Sequence, residues 1–143
     1  MTQLVTGSTA KVRLTAEREG PRYYGHLWVF DSNVADVLGT PAAGDLVDVY
    51  THQKRFFGRG LLNPHSKIRI RMLTFQEEPI DEEFFAARLR AAAALRRTVA
   101  PHATACRLVH GESELRPGLV VDRVADVAVM QTLGYGMDLR KEL

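Results

Sequence analysis

Along residues 67–72 cations and aliphatics alternate, with Lys67, Arg69 and Arg71 on one phase and Ile68, Ile70 and Met72 on the other. A period of two sends the two sets to opposite faces of a strand. Together with the preceding Phe56-Phe57-Gly58-Arg59-Gly60-Leu61-Leu62 and the turn Asn63-Pro64-His65-Ser66, the pattern predicts a hairpin. One face anchors a core, and the other carries a row of cations spaced by roughly 6.6–6.8 Å, twice the strand rise. Such a row can follow the phosphates of a nucleic-acid strand, or it can be the solvated face of an antiparallel sheet. Residues 11–15, 27–30 and 46–51 read as further short strands, separated by breakers at Gly20-Pro21 and Pro41-Ala42-Ala43-Gly44-Asp45. Five short strands in so little chain predict a small closed or nearly closed barrel, since closure removes exposed edges.

The period then changes. Gln76-Glu77-Glu78-Pro79 is a polar linker, after which Asp81 suits a helix N-cap and Glu82 and Glu83 sit at the positive end of the helix dipole. Ile80 is placed to staple onto Phe85, and the alanine-rich helix ends before Pro101. Residues 106–110, 119–123 and 127–133 read as three strands, and residues 137–143 as the opening of another helix. In the first of these strands Cys106 and Leu108 are expected inward, with Val109 opposite.

Composition adds little until the chain is divided. The 143 residues are 45% hydrophobic and 25% charged with a formal net charge of +2, an ordinary balance. Residues 1–73, however, hold ten Lys and Arg against six Asp and Glu, and the remainder holds nine against eleven. Positive charge is concentrated in the front half. A single cysteine, Cys106, excludes an internal disulfide and fits a reducing compartment. No apolar run approaches the roughly 18 residues of a membrane span, and the start lacks a basic end followed by an apolar stretch, so a cytoplasmic location without membrane contact is expected.

Several motifs resemble parts of catalytic or metal sites. His110-Gly111-Glu112 is half of a zinc-deaminase signature, but that site needs a Pro-Cys-x-x-Cys partner and one cysteine cannot supply it. His26, His52, His65 and His102 lack metal-ligand spacing, and Gly134-Tyr135-Gly136 lacks the rest of a dinucleotide fingerprint. Cys106 heads an apolar strand and reads as core rather than nucleophile. Near Trp28, which with Phe30 reads as core, Arg22, Tyr23 and His26 combine rings with a cation. That combination serves single-stranded RNA recognition, and it serves equally to cap the end of a barrel.

Blocks spread over residues 10–143 carry a resemblance when taken in order. They are Gly25-His26-Leu27-Trp28-Val29-Phe30, Gly44-Asp45-Leu46-Val47-Asp48-Val49, Gly58-Arg59-Gly60, Asn63-Pro64-His65-Ser66, Ile68-Arg69-Ile70-Arg71, Arg107-Leu108-Val109-His110-Gly111-Glu112 and Pro117-Gly118-Leu119-Val120-Val121-Asp122-Arg123. The chain resembles the bacterial large-subunit ribosomal RNA cytosine-C5 methyltransferases, which use S-adenosylmethionine. The resemblance implies an α+β chain: residues 1–74 a small PUA-like RNA-binding β-barrel, residues 75–143 a strand-helix-strand connecting domain, and a Rossmann-like catalytic domain absent beyond it. S-adenosylmethionine is then the cofactor of the full-length parent, with no cofactor, metal or catalytic residue in this chain; Cys106 follows Ala105 and not the proline of the family's catalytic cysteine. The implied partners are ribosomal RNA and the missing methyltransferase domain. Lys67, Arg69, Arg71 and Arg59 would contact phosphates, and Arg22, Tyr23, Gly25 and His26 bases or sugars at the open end of the barrel.

Three departures stand out. Leu27 replaces a usual proline, Glu114-Leu115-Arg116 replaces an Asp-Gly-Leu turn, and Ala125 replaces a usual glycine, which removes an easy positive-φ residue. The rival expectation is a structural module without RNA contact. In it Leu119, Val121, Val127 and Val129 form an apolar patch within the enzyme or in a homodimer.

Overall fold

Strand β1 (Lys11–Leu14), β2 (Trp28–Phe30), β3 (Val34–Leu38), β4 (Leu46–Tyr50), β5 (Phe56–Leu62) and β6 (Ile68–Thr74) form one sheet in the order β2-β6-β5-β4-β1-β3. The pairing of β1 with β4 is parallel and every other pairing is antiparallel. This computed structural model describes residues 10–19, 23, 25–114 and 117–143. Its two units, which meet between Pro79 and Ile80, are described separately.

Connectivity dictates the shape of the first unit. Strands β2 and β3 lie at opposite edges of six strands, yet only Asp31–Asn33 join them. Laid flat, the edges would be roughly 24 Å apart at about 4.8 Å per strand. The four links from Phe30 to Val34 span at most about 14 Å. The sheet therefore curls into a half-barrel. The connector is bonded near both edges: Asp31 N donates to Lys67 O (2.9 Å), and Thr15 N donates to Asn33 O (2.9 Å).

Inside the curl lie Val12, Leu14, Val29, Val47, Val49, Ile70 and Met72, all fully buried. Close approach of β5 to β6 depends on Gly58 and Gly60. A Cβ at Gly58 would sit 2.3 Å from Thr74 O, and one at Gly60 would sit 2.6 Å from Arg71 O. No side chain fits at either place without backbone movement.

The strand expectations hold with additions. The sixth strand, β3, was not anticipated; it is an edge strand whose residues are largely exposed, so its pattern is weak. Its register is marked instead by Arg13, which ion-pairs with Asp36 directly across from it on β3. In β6 the alternation lasts to Met72, after which both Leu73 and Thr74 are buried. Strand β4 is buried on both faces, Asp48 included.

In the second unit α1 (Glu82–Val99) begins as its chemistry predicts. Asp81 Oδ1 accepts from Phe84 N (2.9 Å), with Glu82 and Glu83 in the first turn and Arg96 and Arg97 in the last. Strands β7 (Ala105–His110), β8 (Leu119–Val124) and β9 (Val127–Thr132) form an antiparallel meander in that order, followed by a short helix α2 (Tyr135–Asp138). Helix α1 packs on β7, and Arg96 Nε donates to Arg107 O (2.7 Å). A bulge between Arg107 and Val109 corrects the expected facing: Val109 is the fully buried residue, and Cys106 is only half-buried. Both units together make an α+β chain, and no helix among the described residues is long and apolar enough to cross a membrane.

Ala125, which stands in the β8–β9 turn, has φ +50° while its N–H donates to Thr104 O (2.7 Å). Alanine here occupies the left-handed region that glycine adopts freely, and carries its strain. Ala125→Gly should raise stability by about 0.5–1 kcal/mol, the relief of strain less the entropy that glycine adds to the unfolded chain. A urea midpoint that stays still or falls would contradict this.

Candidate nucleic-acid interface

The sequence 16–19 gives no periodic signal, yet it forms a short 3-10 turn whose Arg18 is 1% exposed. Burying an arginine requires acceptors for its donors. Arg18 Nη2 donates to His26 O (2.7 Å) and Trp28 O (3.3 Å), and Nη1 donates to Tyr23 O (3.3 Å). The guanidinium carbon lies 5.0 Å from the Tyr23 ring centroid and 5.4 Å from that of Phe57. Burial pushes its pKa down, with Tyr23 acting in the opposite sense. Arg18 thus pins the backbone that carries the predicted aromatic group, although no sequence pattern marks it.

On that backbone the rings meet edge to face. His26 lies 6.5 Å from Tyr23 and 5.6 Å from Trp28 between centroids, and Trp28 lies 6.2 Å from Phe30. Trp28 N donates to His26 Nδ1 (3.1 Å), so a neutral His26 ring carries its proton on Nε2. His26 is exposed, whereas Trp28 and Phe30 are half-buried rather than full core. Gly25 precedes them at φ +69° with open space where a Cβ would stand, so backbone conformation alone favours glycine there. Leu27, in the place of the usual proline, is buried, and its carbonyl accepts from Met72 N (2.7 Å). Arg22 lies outside the described residues.

The four cations of the hairpin have different fates. Arg71 sits opposite Trp28 in the β2–β6 register, with its guanidinium 5.5 Å from the indole centroid. Lys67 is exposed in the turn before β6. Arg69 ion-pairs with Asp31 (Nε to Oδ1, 2.9 Å) and donates from Nη1 to Pro64 O (2.7 Å). Arg59 is turned into the sheet: its Nε donates to Asp48 Oδ1 (2.8 Å), each side chain is 12% exposed, and Nη1 bonds Glu78 O. Arg71 is therefore brought beside the aromatic group and Lys67 stays exposed in the turn, while Arg69 braces the barrel junction and Arg59 neutralises a buried carboxylate.

Elsewhere the described residues contain no group of three or more His, Cys, Asp or Glu placed to hold a metal ion. His110 Nδ1 lies 3.0 Å from Ser113 Oγ, a local turn contact. Arg107 and Asp122, paired across β7 and β8 at 2.8 Å, hold the Asp122 carboxyl below its usual range, chiefly through the Arg107 hydrogen bond.

Comparison with known proteins places these features. Residues 12–75 match the family described as PUA-like domain. Over 137 residues, 94% of this chain, it is 42% identical to the ribosomal RNA large subunit methyltransferase I of Alteromonas mediterranea, of which it covers 34%. It is 40% identical over 135 residues to the protein of that name from Shewanella amazonensis and 34% identical over 136 residues to that from Vibrio cholerae, covering 34% of each. The chain thus spans about a third of the length of the curated relatives it matches. Among solved structures, a candidate SAM-dependent methyltransferase from Streptococcus mutans superposes with a TM-score of 0.77 at 15% identity, over 92% of this chain and 35% of that one. SMU.776, a candidate methyltransferase complexed with SAH, superposes at 0.72, also at 15% identity, over 92% of this chain and 34% of that one. At such identity these two establish the fold alone.

The role of Arg18 can be checked directly. Arg18→Met removes the guanidinium donors from the Tyr23, His26 and Trp28 carbonyls and should lower stability by about 2 kcal/mol in urea unfolding. Arg18→Lys should recover less than half of that, because a single ammonium cannot reproduce the guanidinium fork. Stability within about 0.5 kcal/mol of the parent for Arg18→Met would remove Arg18 from this role.

Proposed function

We propose that this chain is the RNA-docking part of a large-subunit ribosomal RNA methyltransferase. The carrying observation is that 94% of it aligns at 42% identity with a protein named for that activity, while residues 12–75 match the PUA-like domain. In this proposal the PUA-like barrel grips ribosomal RNA, and residues 75–143 connect it to a catalytic domain outside this chain. That domain binds S-adenosylmethionine and methylates carbon 5 of a cytosine. This chain's own residues bind and orient; none of them carries the methyl transfer.

Chemistry favours one side of the barrel for the contact. Lys67 and Arg71 supply charge for phosphates, and His26, Tyr23 and the Trp28 edge supply rings for unstacked bases. Gly25 lets the backbone turn next to them. Arg69, held by Asp31 and the Pro64 carbonyl, and Arg59, held by Asp48, keep structural parts. Arg22 belongs with this group by sequence.

A second function is favoured by a different observation. Strand β9 reads Val-Ala-Val-Met-Gln-Thr, carries no charge, and is exposed from Val127 through Gln131 at the edge of its sheet. Val129 is 49% and Met130 48% exposed, so apolar side chains emerge on both faces. Of the group expected to form a patch, Val127 and Val129 are exposed, but Leu119 is buried and Val121 half-buried. An uncharged strand of this kind can pair antiparallel with its own copy about a two-fold axis without placing like charges opposite each other.

Two measurements decide between these functions. Binding to ribosomal RNA fragments should fall with salt at a log-log slope of about −0.7 to −0.9 per phosphate neutralised, and Lys67→Glu with Arg71→Glu should flatten it by about that amount per cation. Absence of binding, or binding indifferent to both reversals, sinks RNA docking. Sedimentation should show a concentration-dependent dimer that Val129→Lys abolishes; a monomer at all concentrations removes the β9 pairing.

A further inference from the structure

Beside Arg18 the barrel opens into a cleft of about 390 Å³, within the roughly 300–1,000 Å³ of small-molecule sites. Its walls are ring faces and edges: Tyr23, Phe57 and Phe75, with Phe57 and Phe75 edge to face at 5.5 Å. Phe75 is 38% exposed, an unusual position for a phenylalanine directly after a buried strand end. Arg18 lines the cleft as well, and its buried Nε has no hydrogen-bond partner among the described residues. Glu19 stands at the rim, fixed by His52, whose N–H donates to Oε1 (2.6 Å) and whose Nδ1 lies 2.8 Å from the same oxygen.

These features discriminate among ligands. A phosphate would meet the Glu19 carboxylate at the rim and a guanidinium already committed to three carbonyls, so an anion is disfavoured. A purely aliphatic ligand would forgo ring stacking on Tyr23, Phe57 and Phe75. A flat neutral ring suits these walls, since rings stack on aromatic faces and the guanidinium packed behind Tyr23 and Phe57 holds them in place. We infer that the Tyr23–Phe57–Phe75 cleft holds one unstacked nucleobase of the bound RNA. The inference rests on the RNA-docking function proposed above and extends it to residues that neither the cationic row nor the Trp28 group contains. Arg18 links the two places, because its Nη atoms hold the backbone of Tyr23, His26 and Trp28 while its plane supports Tyr23 and Phe57.

The test uses the whole chain, with single-stranded RNA in which the uridines are replaced by 5-iodouridine. Irradiation should attach RNA to the peptides holding Tyr23, Phe57 or Phe75, as read by mass spectrometry. Phe75→Ala should weaken RNA binding about five- to hundredfold, the stacking of one base, with an unchanged salt slope, and Phe75→Tyr should bind like the parent. A urea midpoint for Phe75→Ala near the parent's shows that the loss is not unfolding. RNA binding of full salt dependence that ignores Phe75→Ala and crosslinks elsewhere overturns the cleft assignment and leaves RNA docking standing. Binding to neither RNA nor free uridine monophosphate, followed by the Phe75 ring signals in NMR, overturns both. Ring signals that move with free uridine monophosphate in the absence of RNA binding assign the cleft to a mononucleotide and overturn its assignment to RNA.

Discussion

Three residues joining opposite edges of a six-stranded sheet constrain the first unit more than any single contact does. Because Asp31–Asn33 cannot span a flat sheet, curl is compulsory, and the rest of the barrel follows from accommodating it. Tight curvature brings β5 under β6 so closely that positions 58 and 60 have no room for a Cβ. The same connector supplies the carboxylate of Asp31 that holds Arg69, and buries Asn33, whose carbonyl takes the Thr15 N–H. An apparent binding cation is thereby drawn into closing the fold.

Closure leaves one end of the barrel needing support, and Arg18 provides it. A charged group at 1% exposure would be destabilising in an apolar interior, yet here its Nη atoms meet the backbone carbonyls of Tyr23, His26 and Trp28. Desolvation and hydrogen bonding must both be large for this balance, which makes the arrangement all-or-none in character. The backbone of Tyr23, His26 and Trp28 is thereby bonded from within the barrel.

What was legible in the sequence is what rests on period and capping. The hairpin, the N-cap at Asp81, the helix and the three-stranded meander all follow from local patterns that tertiary packing does not oppose. Strand β3 escaped because an edge strand in contact with solvent shows no strong alternation. The facing of β7 escaped because a bulge is a one-residue event that period counting cannot see. At the candidate interface, alternation placed Arg69 and Arg71 on one face correctly, but it is silent about which cations meet a carboxylate 38 residues away, as Arg69 does, or 11 away, as Arg59 does. Arg18 was hidden for the opposite reason: a lone arginine between two glutamates has the signature of a surface, and only the carbonyls gathered around it by folding make it interior.

The two units deal with sheet edges in contrasting ways. In the barrel, curl brings the edges together across a bonded connector, and the outlying β3 carries Asp36 engaged with Arg13, so edge pairing with another chain is discouraged by geometry and charge. In the meander, β9 keeps a regular six-residue register with β8, without bulge, proline or charge to blunt its outer side. A strand left so, with Val127, Val129 and Met130 exposed, forgoes every usual protection against edge association. Charged and bulged edges are common because unguarded ones aggregate, so the plainness of β9 is informative: its sequence is suited to a covered surface, whereas the barrel's edge strand carries its own charge.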